Sequence, residues 1–532
     1  MHHDPDTGPA ATHAFRDWLR DRYKNEAALG RAWNQPGMQW EDANAPDTPA
    51  RETEDVGMLR DPKLRRSVID YFEFLHGEMA GALLGLAAAA KASWPRPLVT
   101  AAFQGYFYNQ FNRHAAGSHL ALDKVLASPH LDCLCAPQSY EAAARELGGS
   151  GQARGLVGAV IRAGKLWLDE MDQATAVCGS PWDRSFKSTI EDDIAIMRRN
   201  ILQPIARGGG AWWFEFGPTA GTPAFAAYGL VGWWDHPRLL EEVRALRQIV
   251  VDRIGAPLDR GADVLVIHDP WSFCHIASRR HSLDAFEFGG QPSTQADPLT
   301  PGLVDGLSEA LHRSGLIYED ALLSELPSID LSAFRLVIFS TTLVLAPAQR
   351  ELIQTRVAAE GRHVVLLGLC GWSDNQSVAP ANQRAFSPIP VRALVPGRPV
   401  SRLMLAGVEE EQTLSRTLPV PAFDVPEENA IGRWADGSCS AACVTAEDVT
   451  WWTFAIAPNT RGLVRELGRK AGCRVVNERD DTTLHGAGIL AVLTLDGGAR
   501  TLRLPSGATI ERDLPPRSTT VFDARTGEVL LT

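Results

Sequence analysis

Four short apolar runs, each followed by a stretch of helical periodicity, constrain this chain more than any other feature. The runs are Leu98 to Phe107, Leu131 to Ala136, Lys165 to Leu168 and Ala211 to Phe216. Helical patterns lie between them near His119 to Ala127, Ala153 to Arg162 and Thr189 to Arg207, and a further helix, Arg238 to Ile254, follows the last run. Strand and helix repeated in this way mean parallel β/α units, because parallel strands need a crossover long enough to hold a helix. Each run ends in polar or aromatic residues: GYFYNQ, APQSY, DEMD and EFGP. Several strands delivering such side chains to one edge is what the catalytic face of a (β/α)8 barrel requires. Four runs make half of a barrel.

Ahead of the first run, Phe15, Leu19 and Tyr23 share one face of a helix over Thr12 to Tyr23, and a long amphipathic helix runs from Lys63 to Ser93, closed by Pro95. A second unit begins near Ala262. ADVLVIHD is a buried strand, Leu303 to Ser314 a helix, Phe334 to Ser340 a strand, Pro347 to Ala359 a helix and HVVLLGL a strand, which reads as an open doubly wound domain. The Pro-rich stretch Ser387 to Pro399 is expected as a loop or crossover, and Val449 to Ile456 as a strand. From about Gly486 short hydrophobic runs alternate with Gly/Asp turns, the pattern of a small antiparallel β domain. The expected division is residues 1–255, 256–475 and 476–532.

Charge and cysteine usage exclude several classes of function. Lys plus Arg number 52 against 64 Asp plus Glu, a net charge of −12, and a phosphate-backbone binder needs a basic stripe instead. Nucleic acid is therefore not an expected partner. The N-terminus lacks a basic segment followed by an apolar core, and the longest apolar run, Met79 to Ala90, is too short to span a bilayer. The eight cysteines form no CxxC pair, so reduced thiols in a cytoplasmic protein are expected. No His/Asp/Glu cluster has ligand spacing, and neither metal nor cofactor is expected. The fifteen tryptophans fit sugar stacking or core filling equally well.

The segment GKLWLDEMD, Gly164 to Asp172, concentrates the acids: Asp169, Glu170 and Asp172 stand where the strand Lys165 to Leu168 should end. Neighbouring strand residues point to opposite faces, so only one of Asp169 and Glu170 faces the barrel axis.

The order of these parts resembles the glycoside hydrolase family 42 β-galactosidases and their close relatives. The resemblance covers nearly the whole chain and rests on FRDWLRDRYKNEAALGRAW (Phe15 to Trp33), GSHLALDKVLASPHLDCLCAPQSY (Gly117 to Tyr140), GKLWLDEMD and GGGAWWFEFGP (Gly208 to Pro218). It extends through GWWDHPRLLEEVRAL (Gly232 to Leu246) and DLSAFRLVIFSTTLVLAPAQRELI (Asp330 to Ile353). It implies strands five to eight of a TIM barrel, then a flavodoxin-like trimerisation domain related in plan to glutamine amidotransferases, then a small C-terminal β-sandwich. It also implies a retaining β-glycosidase acting on a β-galactoside or a related carbohydrate, assembled as a homotrimer or other homo-oligomer. Glu170 falls where this family keeps its nucleophile, and Asp172 reads as a supporting loop group. The family's acid/base, an Asn-Glu pair shortly before the segment like Phe15 to Trp33, has no counterpart ahead of Phe15. Expected alternatives are a truncated chain, a split enzyme whose partner supplies the other half barrel, or a non-catalytic oligomerising or carbohydrate-binding remnant.

Other site candidates follow from the strand ends. Glu215, on the strand next to that of Glu170, is a candidate second carboxylate. Trp212 and Trp213 alternate across that strand, one facing the site and one packing under the helices, with Trp213 the expected sugar platform. Tyr140, Gln138, Gln104 and Tyr106 are candidate hydroxyl-binding residues. His119 reads as a structural residue at a helix start. Cys370, between Gly368 and Gly371, resembles the nucleophile elbow of glutamine amidotransferases, but no His-x-Glu follows in this domain and a buried inert thiol is expected.

Overall fold

The computed structural model describes residues 6–110, 114–139, 142–173, 175–177, 189–214, 232–277, 297–395, 400–414 and 417–532. Helices α1 (Pro9–Tyr23), α2 (Glu26–Ala32), α3 (Thr48–Glu52) and α4 (Pro62–Ser93) precede the first strand. Pro62 suits the first turn of α4, where its missing N–H costs nothing, and the Asp61 side chain accepts from the Lys63 N–H. Phe15 and Leu19 of α1 pack with Trp33, Tyr71 and Phe74 in a separate small core. Within it the fully buried Asp70 accepts from Tyr23 at 2.6 Å, Trp33 at 2.7 Å and Arg66 at 2.7 Å, which offsets the cost of removing its charge from water.

Next comes a four-stranded, wholly parallel sheet of β1 (Ala101–Phe103), β2 (Cys133–Pro137), β3 (Leu166–Met171) and β4 (Gly210–Trp213), arranged in chain order. The crossovers carry α5 (Leu122–Ala127), α6 (Ala142–Arg145), α7 (Val157–Arg162) and α8 (Ile190–Ala206), and α9 (Pro237–Val251) follows β4. Thr189 and Asp192 close a reciprocal cap on α8. Two strands differ from expectation. β1 is shorter than its apolar run because Gly105, at φ 85°, turns the chain out of the sheet. β3 runs past Leu168 to Met171, since Asp169 and Glu170 still pair with Ala136 and Pro137 on one side and with Ala211 and Trp212 on the other.

The second sheet begins with β5 (Val264–His268), β6 (Tyr318–Leu322), β7 (Leu336–Phe339) and β8 (His363–Leu367), and the strand Val449–Phe454 pairs parallel to β8. Their spatial order, β6-β5-β7-β8 and then Val449–Phe454, is the 2-1-3-4-5 order of flavodoxin-like sheets. Antiparallel strands Cys439–Ala446, Ala430–Trp434, Val400–Leu405 and Val408–Thr413 extend it. The Pro-rich stretch expected as a loop contains a strand, Val391–Val395, with its prolines placed on either side. β6 was not expected, because Glu319 and Asp320 interrupt its apolar pattern; Asp320 is buried and ion-paired with Arg207 at the end of α8.

The C-terminal residues form a four-stranded antiparallel sheet, from Thr482–Gly486 to Val529–Leu531, and a hairpin of Gly498–Arg503 with Thr509–Leu514. Its inner face packs on α8 and α9. One continuous core links the helix side of the first sheet with the second sheet. Trp167 of β3 lies so close to Gly155 that a Cβ there would stand 2.1 Å from the indole. Among the described residues no helix is long and apolar enough to cross a membrane.

Candidate functional site

The two-residue alternation of β3 decides which acid faces which way. Trp167, Asp169 and Met171 are buried on the helix side, whereas Leu168 and Glu170 are half-buried on the opposite, open face. Parallel register places Glu170 beside Pro137 and Trp212. Burial raises the Glu170 carboxyl above its ordinary value and the charge of Asp172 adds to this, while the neighbouring Trp212 indole and the charge of Arg145 oppose it. Asp169 is fully buried; desolvation pushes it up to about 7 against a 2.5 Å hydrogen bond from the Trp167 indole, and its Oδ2 has no hydrogen-bond partner among the described residues. Asp172, past the strand end, is ion-paired with Arg145, which also donates to the Ser139 carbonyl at 2.8 Å.

The residues following β1 gather at the same edge. The Gln104 side chain meets His119 at 2.5 Å, and the His119 ring stacks on Tyr106 with centroids 4.4 Å apart. The Arg154 guanidinium lies 4.5 Å from the centre of the Tyr106 ring, within cation–π range. Burial, reinforced by the charge of Arg154, lowers His119 to about 3, so the imidazole is neutral. The Tyr106 hydroxyl is held well above its usual range by burial, with the charges of Cys135, Glu170 and Asp172 contributing to that rise. Gln138 is next to Glu170 along the backbone, donating its N–H to the Glu170 carbonyl at 3.3 Å, but its side-chain oxygen accepts from Asn200 of α8 at 2.6 Å.

The two tryptophans are arranged the other way round from the sequence expectation. Trp213 is turned towards α8, its indole N–H directed at the Met197 sulfur at 3.4 Å, and the indole beside Glu170 is that of Trp212. The strand pattern fixes only that the two oppose each other; register with Glu170 decides which is which. Tyr140 and Glu215 lie outside the described residues. Arg145 and Arg154 were not picked out from the sequence, where nothing in AAARELGGSGQARGL marks them as site residues. Cys370 is fully buried and its thiol is pushed up to about 12, with Thr342 Oγ1 3.1 Å from the sulfur. Among the described residues no group of three or more His, Cys, Asp and Glu is placed to hold a metal ion.

The edge therefore offers a half-buried carboxylate on an open face, an indole in cross-strand register with it, and aromatic surfaces from Trp212, Phe103 and Tyr106. A carboxylate in that setting can accept hydroxyl protons in hydrogen bonds or attack an electrophilic carbon, and aromatic rings suit the apolar faces of a sugar.

No family model matches the sequence, and no curated protein matches it. Solved structures do match the fold. The β-galactosidase of the haloarchaeon Halorubrum lacusprofundi superposes with a TM-score of 0.68 at 17% identity, over 98% of this chain and 77% of that one. The cold-adapted β-galactosidase of Rahnella sp. R3 gives 0.68 at 14% identity, over 97% and 76%. The GH42 β-galactosidase Gan42B of G. stearothermophilus gives 0.65 at 14% identity, over 96% and 75%. Along nearly its whole length, this chain has the fold of the glycoside hydrolase family 42 β-galactosidases.

Proposed function

We propose that this chain is a β-galactosidase-like retaining glycoside hydrolase acting through a covalent glycosyl-enzyme on Glu170. One observation carries the reading: of the acids in DEMD, Glu170 is the one set on the open face at the end of a parallel strand, in a chain with this fold. In a retaining reaction the ionised carboxylate attacks the anomeric carbon, and the leaving oxygen takes a proton from a second carboxyl group about 5–5.5 Å away. No Asn-Glu pair stands ahead of the segment Phe15 to Trp33 to play the part of the family's acid/base. Asp172 is a poor replacement because Arg145 holds it as an ion pair. Glu215 stays in the proposal as a second carboxylate from the neighbouring strand. Tyr106 and Trp212 line the sugar site. The chain assembles through its flavodoxin-like sheet as a homotrimer, or with a partner that supplies further barrel strands and the acid.

A second reading, a non-catalytic carbohydrate-binding or oligomerising protein, is favoured by the lack of an Asn-Glu pair ahead of Phe15. A dinitrophenyl β-galactoside separates the two, because so good a leaving group hardly needs protonation. Release that is accelerated by azide and lost in Glu170→Gln supports the nucleophile. Absence of release, with or without azide, removes the enzymatic reading and leaves binding.

A further inference from the structure

The chain leaving β1 stays level with Glu170. The Gln104 N–H donates to the Cys135 carbonyl at 3.2 Å, carrying the β1–β2 pairing one residue past Phe103. Continued in that register, Gly105 falls opposite Pro137, the residue that pairs with Glu170. Tyr106 and His119 come from the segment joining β1 to α5, and Arg154 from the segment joining β2 to α7. They gather at the strand ends that carry Glu170, where parallel β/α sheets meet their ligands.

Within this cluster His119 differs from the histidines around it. His76 and His114 are buried and direct Nε2 to the backbone carbonyls of Ala115 and Phe107, at 2.9 and 2.8 Å. His119 meets the protein through Nδ1 instead, 2.5 Å from the Gln104 side-chain oxygen. The Gln104 amide nitrogen donates to the Ser118 carbonyl at 3.5 Å, which fixes the oxygen as the atom facing the ring. An amide oxygen only accepts, so the imidazole proton is on Nδ1 and Nε2 carries a lone pair. Among the described residues no group hydrogen-bonds that Nε2 or the Tyr106 hydroxyl, and both side chains are half-buried, not sealed in. Stacking on Tyr106 fixes the plane of the imidazole.

We propose that His119 is a ligand-binding residue of this edge: a hydroxyl group of an uncharged, polyhydroxylated ligand donates to its Nε2, and the Tyr106 phenol beside it donates to a second ligand oxygen. Burial and the charge of Arg154 keep the imidazole unprotonated, so Nε2 accepts from neutral hydroxyls and repels carboxylate or phosphate oxygens. The proposal rests on the reading of this edge as a sugar site. His119→Asn keeps an N–H near the position of Nδ1 for Gln104 and has no atom at Nε2. His119→Gln carries its amide out to the position of Nε2.

The test measures binding to the full-length chain of methyl β-galactoside and of analogues in which each hydroxyl in turn is replaced by fluorine, which cannot donate. In the wild type one fluorinated analogue should bind about fivefold more weakly than the parent, the scale of one neutral hydrogen bond. His119→Asn should weaken the parent by a similar factor and that analogue no further, and His119→Gln should recover part of the loss. Such coupling between one ligand hydroxyl and one side chain is what a merely structural role does not produce. A loss in His119→Asn spread evenly over the parent and every analogue overturns the proposal, as does unchanged binding. No binding of methyl β-galactoside by the wild type overturns it together with the sugar-site reading. If dinitrophenol release depends on Glu170 while the His119 substitutions leave binding unchanged, the proposal alone falls. If the coupling is found in a chain that releases none, the glycosidase reading falls and the His119 contact stands.

Discussion

The rings of Phe103 and Trp212 meet edge to face at 5.9 Å although they belong to the two outer strands of a four-stranded sheet. Adjacent strands lie about 4.8 Å apart, so the outer pair of a flat sheet of this size is separated by about 14 Å. The contact therefore requires the sheet to curl towards the face that carries Glu170. Phe103 remains 51% exposed even so, which leaves one side of the aromatic pair accessible to a ligand.

Phe103→Ala removes the ring that spans this face. The expected cost is about 1 kcal/mol, the usual worth of an aromatic pair, read as a lower urea midpoint with an unchanged slope. A loss several times larger would show that Phe103 supports the sheet rather than a single contact.

Gly155→Ala places a methyl group 2.1 Å from the Trp167 indole, on the helix side of β3. Trp167 is fully buried and its indole donates to Asp169, so neither partner has room to retreat. A loss of about 2–3 kcal/mol is expected in denaturant unfolding, typical of overpacking a dense core.

Arg207 and Asp320 form a buried ion pair between α8 and β6, and Tyr108 also donates to Asp320 at 2.8 Å. Asp320→Asn leaves an uncompensated guanidinium between the two sheets and should cost about 3–5 kcal/mol. Arg207→Met combined with Asp320→Leu should cost less than the single change. Equal losses in the two proteins would show that packing, not charge, holds this junction.

Burial lowers His76, His114 and His268 to about 4 and His119 and His312 to about 3. Unfolded histidine takes up its proton near 6.5, so the unfolded state binds more protons between about 6.5 and 4 and stability falls as the pH drops through that window. Asp169 and Asp269, pushed up to about 7, act with the opposite sign: they hold protons in the folded state and lose stabilisation as pH rises through 7. The histidines outnumber them, so near pH 5 stability should fall by about 1.4 kcal/mol per pH unit of acidification for each proton by which the unfolded state exceeds the folded one. Urea midpoints measured from pH 7.5 to 4.5 check the sign; a midpoint that rises on acidification contradicts it.

Cys370 should resist alkylation in the native protein, since its thiol is buried and pushed up to about 12. Peptide mapping after iodoacetamide treatment should find it modified only when denaturant is present. Rapid native modification, or glutaminase activity lost with it, would return the amidotransferase reading to consideration.

Much of this arrangement was legible in the residues themselves. The spacing of apolar runs between helical patterns gave the order of β/α units, because parallel strands demand intervening crossovers. The adjacency of Asp169 and Glu170 dictated opposite faces, because side chains alternate along any strand. What periodicity could not supply was everything that depends on a second segment. Whether Trp212 or Trp213 stands beside Glu170 is set by interstrand register, and a shift of one residue exchanges them. Strand β6 was hidden because Asp320 looks polar in isolation and becomes tolerable inside a sheet only when Arg207, 113 residues away, meets it. The sequence by itself determined the alternation of elements and the opposition of neighbouring side chains, both local consequences of backbone geometry. Only the tertiary structure decided which charges are paired and which indole faces the carboxylate, since those depend on contacts between residues far apart in the chain.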